Sequence, residues 1–272
     1  MYLCCKILKK MVKAIFFDID GTLVPFQQHG APESTKLAIH EARKRGVKVF
    51  ICTGRPLQYI DNLEGVEYDG MVTVTGALCT DGQGKVIGSK YIPKEDIQAL
   101  LNYLGTQENP TPFMVVSRKK MYANELDRED VKHIIQFLNV PKLHYYPLEE
   151  ALHDDILQLI GFFREEEERY LQAHVLKNCM PMRWHESFAD LVAEGVSKSA
   201  GIDTMISHYG IDLSETMAFG DGGNDIPMLD HAAISVVMGN ASDAVKEHGD
   251  YITDDVDQDG VLHALQHFGL IK

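Results

Sequence analysis

The chain has 272 residues, 45% hydrophobic and 24% charged, enough for a large core and room for two domains. Its formal net charge of -14 argues against a general nucleic-acid binder, which needs Lys and Arg for phosphate contacts, but leaves small phosphorylated substrates open. Five cysteines without a CxxC pair point to reduced thiols in the cytoplasm; no run approaches transmembrane length, and no H-E-x-x-H spacing suggests zinc.

The first ten residues are expected to form a disordered extension, since they lack a leader's apolar core and cleavage site. Val12 to Phe17 is a short apolar run that predicts a buried strand, followed by Asp18-Ile19-Asp20-Gly21-Thr22. Residues i and i+2 of an extended chain project to one side, so Asp18 and Asp20 should converge at the strand's end. Paired carboxylates repel unless a cation or proton separates them, and Mg²⁺ is the natural hard partner. The alternative is a turn that merely uses Asp and Gly.

A helix over Glu33 to Arg45 and a second buried strand over Val47 to Cys52 complete a strand–helix–strand unit, the element of a parallel sheet. That strand ends in Thr53-Gly54-Arg55-Pro56; a hydroxyl and a glycine there suit phosphate binding, although alone they make only a turn. Met71 to Ala77 is a third expected strand and contains Thr75-Gly76-Ala77. Asp81-Gly82-Gln83-Gly84 reads as a hairpin turn. Beyond it, strands are expected at Val86–Ile92, Phe113–Ser117, Met121–Asn124 and Ile156–Phe163, and helices at Lys94–Leu104, Arg128–Leu138 and Glu165–Leu176. The Arg118-Lys119-Lys120 turn is read as an exposed hairpin.

Lys198 falls at the start of a helix over Ser197 to Tyr209, a position where a cation is disfavoured by the helix dipole and invites a reason. A strand from Thr216 to Phe219 then runs into Gly220-Asp221-Gly222-Gly223-Asn224-Asp225, where glycines permit close backbone approach and carboxylates call for a cation. Further strands are expected at Ile234–Gly239 and Tyr251–Thr253, and helices at Ser242–His248 and from Asp259-Gly260-Val261 to about Phe268. The acidic Asp254-Asp255-Val256-Asp257 stretch is read as a solvated loop.

Taken in order, the Asp18–Asp20 pair, Thr53-Gly54, Lys198 and the Gly220–Asp225 loop resemble the four motifs of the haloacid dehalogenase-like (HAD) superfamily, in its Cof-like subfamily with a type-IIB cap. Thr75 stands where relatives often carry Asn, and Ser199 where many carry Gly. The resemblance implies an α/β fold: a doubly wound, Rossmann-like parallel-sheet core over residues 11–81 and 188–272, with an inserted α+β cap over 82–187 that closes over the site. It implies a Mg²⁺-dependent phosphatase on small phosphorylated metabolites, sugar phosphates first. Asp18 is then the nucleophile that forms an aspartyl-phosphate, and Asp20 the general acid and base. The metal falls to Asp18, Asp221 and the Asp20 carbonyl. Thr53, Gly54, Lys198 and Asn224 hold the phosphoryl oxygens, helped by the Gly21 N–H, and Asp225 positions Lys198. A phosphomutase and a non-catalytic phosphometabolite-binding protein are the alternatives. The partner is a small metabolite, with neither nucleic acid nor membrane, and a monomer is the default.

Overall fold

The computed structural model describes residues 12–137 and 142–272; the extension expected over residues 1–10 lies outside them. Along the chain come β1 (Ala14–Phe17), α1 (Glu33–Lys44), β2 (Lys48–Cys52), β3 (Gly70–Thr73), β4 (Leu78–Asp81) and β5 (Val86–Ser89). Next are α2 (Lys94–Leu104), β6 (Phe113–Ser117), β7 (Met121–Asn124), α3 (Glu129–Phe137), β8 (Tyr145–Pro147) and β9 (Ile156–Gly161). Helix α4 (Glu165–His174), β10 (Cys179–His185) and β11 (Phe188–Ala193) follow. The last stretch holds α5 (Lys198–Tyr209), β12 (Thr216–Gly220), α6 (Ile226–His231), β13 (Ile234–Val237), α7 (Asp243–Lys246), β14 (Tyr251–Ile252) and α8 (Gly260–His267).

The chain divides into two compact units. One runs to Arg55, resumes over Ile60–Gly88 and closes with Ser197–Lys272; the other is Pro56–Tyr59 with Ser89–Val196. The first is built on an eight-stranded sheet of order β14-β13-β12-β1-β2-β3-β4-β5. Its strands from β14 to β3 are parallel, and β4 turns back antiparallel on β3. Alternation along the strands sends side chains to two faces. Ala14 and Phe16 of β1, Phe50 and Cys52 of β2 and Ala218 of β12 pack with Ile202, Met205 and Met228 of α5 and α6. Ile15, Phe17, Val49 and Ile51 are buried on the other face, where α1 packs against β2 and α8. The parallel pairing is what the strand–helix–strand pattern predicts, and the doubly wound architecture is what the family resemblance implies.

The second unit carries a six-stranded sheet of order β10-β11-β9-β6-β7-β8, antiparallel except where β8 joins β7. Met114, Val116, Met121 and Ile160 form a core on one of its faces with Val131 of α3.

The observed boundaries differ from the expected 82–187 insert at both ends. Residues up to Gly88 stay with the first unit because β5 continues the hairpin that starts at Asp81. Phe188–Ala193, expected in the core, is a strand held antiparallel between β9 and β10. Strand β10 contains Pro181, which discourages a strand reading; as the sheet's edge strand it tolerates the missing N–H. The third strand also stops early, at Thr73, because Val74 and Thr75 turn into the left-handed region at φ 52° and 55°.

Candidate active site

Strand register assembles the site. Phe17 lies beside both Ile51 and Phe219 in the parallel sheet, so the segments that follow all leave at the same end, the carboxyl end of the strands. These segments are Asp18-Ile19-Asp20, Thr53-Gly54-Arg55 and the loop from Asp221 to Asp225. The Asp18 N–H donates to the Phe219 carbonyl at 3.1 Å, which fixes the first and fourth motifs to each other. Gly21 makes the turn at φ +79°, and a Cβ there would lie 2.1 Å from Asp221 Oδ2, so no larger residue fits. Its N–H, expected to face phosphate, is donated instead to the Val24 carbonyl at 2.8 Å, because the turn closes on itself.

Lys198 enters from the first position of α5. The helix is capped by Ser197, whose hydroxyl oxygen accepts the Ala200 N–H at 3.1 Å. The Lys198 side chain is fully buried, and its ammonium donates to Asp18 Oδ1 at 2.6 Å and Asp225 Oδ1 at 2.5 Å. The other oxygen of Asp225 accepts the N–H groups of Asp221 and Gly222 at 3.0 and 2.9 Å. Asp225 therefore has both oxygens engaged. Asp221 is gripped on each oxygen: Oδ1 accepts the Thr22 hydroxyl at 3.1 Å and Oδ2 accepts Asn240 Nδ2–H at 3.2 Å.

Burial raises the Asp18 carboxyl well above its ordinary range, and repulsion from Asp225 adds to it, against the pull of Lys198. Asp221 is pushed up to about 7 by burial and by Asp225. Burial works against the Lys198 charge, but Asp18 and Asp225 outweigh it and hold the amine protonated. The Lys198 ammonium thus answers two buried carboxylates directly with Asp221 beside them, so the cluster holds more acidic groups than cations. Oxygen atoms of Asp18, Asp221 and Asp225 lie within 4.8 Å of one another. A hard divalent cation fits such an all-oxygen donor set.

Asp20 faces a different partner from Asp18. Its carboxylate accepts two hydrogen bonds from Arg55, Nε to Oδ2 at 2.7 Å and Nη2 to Oδ1 at 2.6 Å. Thr53 is buried and its hydroxyl oxygen accepts the Arg55 N–H at 3.1 Å. A Cβ on Gly54 would lie 3.4 Å from Thr75 Oγ1 and 4.0 Å from Asn224 Nδ2, ordinary contact distances that place both side chains beside this loop. Thr75 N–H donates to the Thr53 carbonyl at 3.0 Å and Val74 N–H to the Arg55 carbonyl at 3.1 Å, so the left-handed turn braces the second motif. Sequence reasoning missed Arg55, Thr22 and Asn240 as site residues. Arg55 sits inside the Thr53-Gly54-Arg55-Pro56 motif, and a cation at the same sheet end as the acidic pair was the available signal. Nothing in the sequence marks Asn240, which lies 219 residues from its partner Gly21.

A family model described as a haloacid dehalogenase-like hydrolase matches residues 15–265. Among solved structures, the HAD subclass IIB sugar phosphatase BT4131 is 42% identical, with a TM-score of 0.82 over 95% of this chain and 100% of that one. BT1666 from Bacteroides thetaiotaomicron, a phosphatase of the same superfamily, is 34% identical, with a TM-score of 0.86 and 97% of each chain covered. A Bacillus subtilis (strain 168) protein, the 5-amino-6-(5-phospho-D-ribitylamino)uracil phosphatase YcsE, is 30% identical over 261 residues, 95% of this chain and 96% of its own. With the four motifs assembled at one sheet end and the similarity running nearly the full length, the chain belongs to the haloacid dehalogenase-like hydrolases, as a Cof-like phosphatase.

Proposed function

We propose that this enzyme is a Mg²⁺-dependent phosphatase of small phosphorylated metabolites, sugar phosphates first among them, acting through an aspartyl-phosphate on Asp18. The observation that carries the reading is the buried Lys198 ammonium shared by Asp18 and Asp225, with Asp221 alongside. Lys198 holds Asp18 in place, and its charge offsets that of an incoming phosphoryl group. An Asp18 carboxylate oxygen attacks phosphorus as the bond to the leaving oxygen breaks. Asp20 gives that oxygen its proton, so the alcohol departs neutral. The Asp20 carboxylate then takes a proton from water as the water oxygen attacks phosphorus, the acyl phosphate bond breaks, and phosphate and Asp18 are released. Arg55 orients Asp20 through its two hydrogen bonds. Thr53, Gly54, Lys198 and Asn224 bind the phosphoryl oxygens, and Asp225 positions Lys198. Asp18, Asp221 and the Asp20 carbonyl are the groups that would hold Mg²⁺, which supplies charge neutralisation and orientation of the phosphoryl oxygens. The sugar-phosphate preference rests on the likeness to BT4131.

The test is phosphate release from a panel of sugar phosphates, nucleotides and other phosphate monoesters, with Mg²⁺ and with chelator. Mg²⁺-dependent release, strongest on sugar phosphates and abolished in Asp18→Asn, is the expected result. Isomerised sugar phosphate without free phosphate would make the enzyme a mutase, and binding without turnover would make it a sensor.

A further inference from the structure

Asp221 is buried, yet both of its oxygens are held by groups from other parts of the chain. One of these is Asn240, in the loop after β13, to which neither the motifs nor the mechanism gives a part. Its Nδ2 donates to the Gly21 carbonyl at 2.9 Å as well as to Asp221 Oδ2 at 3.2 Å. Its Oδ1 accepts the Val256 N–H at 2.9 Å. One amide therefore joins the loop of the first motif, the loop of the fourth and the acidic segment near the carboxyl terminus. The segment is itself tied down, since the Gly239 N–H donates to the Asp254 carbonyl at 3.1 Å.

We propose that Asn240 is a positioning residue for the cation site: it sets the plane of the Asp221 carboxylate and fixes the distance between that carboxylate and the Asp18–Asp20 turn. Asn240 is not a ligand, because its oxygen is taken by Val256 and its nitrogen only donates. A carboxylate that must accept a cation on one lone pair gains from a neutral donor that orients it through another, and such outer partners typically carry about 10–100-fold in metal affinity. The proposal also gives the Asp254–Asp257 segment a role, as the anchor of Asn240 and not as a second cation site.

The inference rests on reading Asp221 as a cation ligand, so its test measures binding directly. Mg²⁺ is titrated by calorimetry into wild type, Asn240→Ala and Asn240→Ser, with Tm recorded in chelator. Asn240 is exposed at the surface, so both variants should stay folded, with a Tm lowered modestly for the three hydrogen bonds lost. Their Mg²⁺ dissociation constants should rise about 10–100-fold. Serine's hydroxyl is too short to span Gly21 and Asp221, so it should not rescue; should the alanine variant fail to fold, the serine variant decides. Unchanged Mg²⁺ affinity in a folded variant would overturn the role of Asn240 alone. A wild type that binds no Mg²⁺ would overturn the cation reading with it.

Discussion

The two units bury acidic side chains in opposite ways. In the unit with the six-stranded sheet, each such acid has its own donors. Asp96 accepts the Asn178 N–H and Nδ2–H, both at 2.9 Å, and Glu168 accepts Arg183 Nε–H at 2.9 Å. In the unit with the parallel sheet, Asp18 and Asp225 share one ammonium and Asp221 lies beside them. An acid whose oxygens are filled by its own donors is settled within the fold, whereas a cluster of carboxylates around one cation costs stability and persists where a ligand or reaction uses it. The excess, more than the burial, marks where the chemistry lies.

Removing the Lys198 ammonium breaks the contrast most severely. Lys198→Met leaves the carboxylates without a counter-charge, and phosphate release should fall by about a thousandfold or more. The loss of stability, about 3–5 kcal/mol for breaking such a buried pair, should appear as a Tm lowered more near neutral pH than in acid, where Asp18, its carboxyl already raised by burial, takes up a proton.

Arg55→Lys tests the Asp20 arm. Lysine keeps the charge but cannot form the two parallel hydrogen bonds, so kcat should fall about 10-fold or more with Tm little changed. Because Arg55 is partly exposed, folding depends less on it.

The pH dependence follows from Asp221. Its carboxyl titrates at about 7 in the folded, metal-free protein against 3.8 in an unconstrained chain. The folded state therefore holds a proton that unfolding releases, and the stability this gives is complete below the lower value and lost as pH rises through the higher one. Metal-free Tm should carry this decline across that window. Mg²⁺ should raise Tm more at about pH 8 than at about pH 5, where protons compete with it. Scanning calorimetry with Mg²⁺ and with chelator checks both.

The smallest catalytic effect is expected in the balanced unit. Glu168→Gln weakens the contact with Arg183 and should cost about 1–3 kcal/mol of stability, read from denaturant unfolding. Its kcat/KM should stay within about 2-fold of wild type. A large catalytic loss there would erase the distinction between the units.

The parallel sheet and its motifs were legible because each motif sits directly at a strand end. Asp18, Thr53 and Asp221 follow short apolar runs, and the run predicts both the strand and the place where its last side chains emerge. Lys198 was legible as the first residue of a helix where a cation is out of place. What stayed hidden depends on pairings far apart in sequence. Strands β10 and β11 carry Pro181 and Asp190 and are strands only because β9 pairs with β11. Val74 and Thr75 are β-branched, so propensity extends the strand that their left-handed backbone ends. The two hydrogen bonds of Arg55 to Asp20 and the three of Asn240 join loops that no periodicity connects.

The most direct test of the account uses Asp20→Asn with p-nitrophenyl phosphate and Mg²⁺, since this leaving group needs no proton on departure. The account predicts one burst of nitrophenolate per enzyme, then a stall, and a protein heavier by one phosphoryl group carried on the peptide containing Asp18. Steady turnover with no phosphorylated protein, or a phosphoryl group on any other residue, would contradict it.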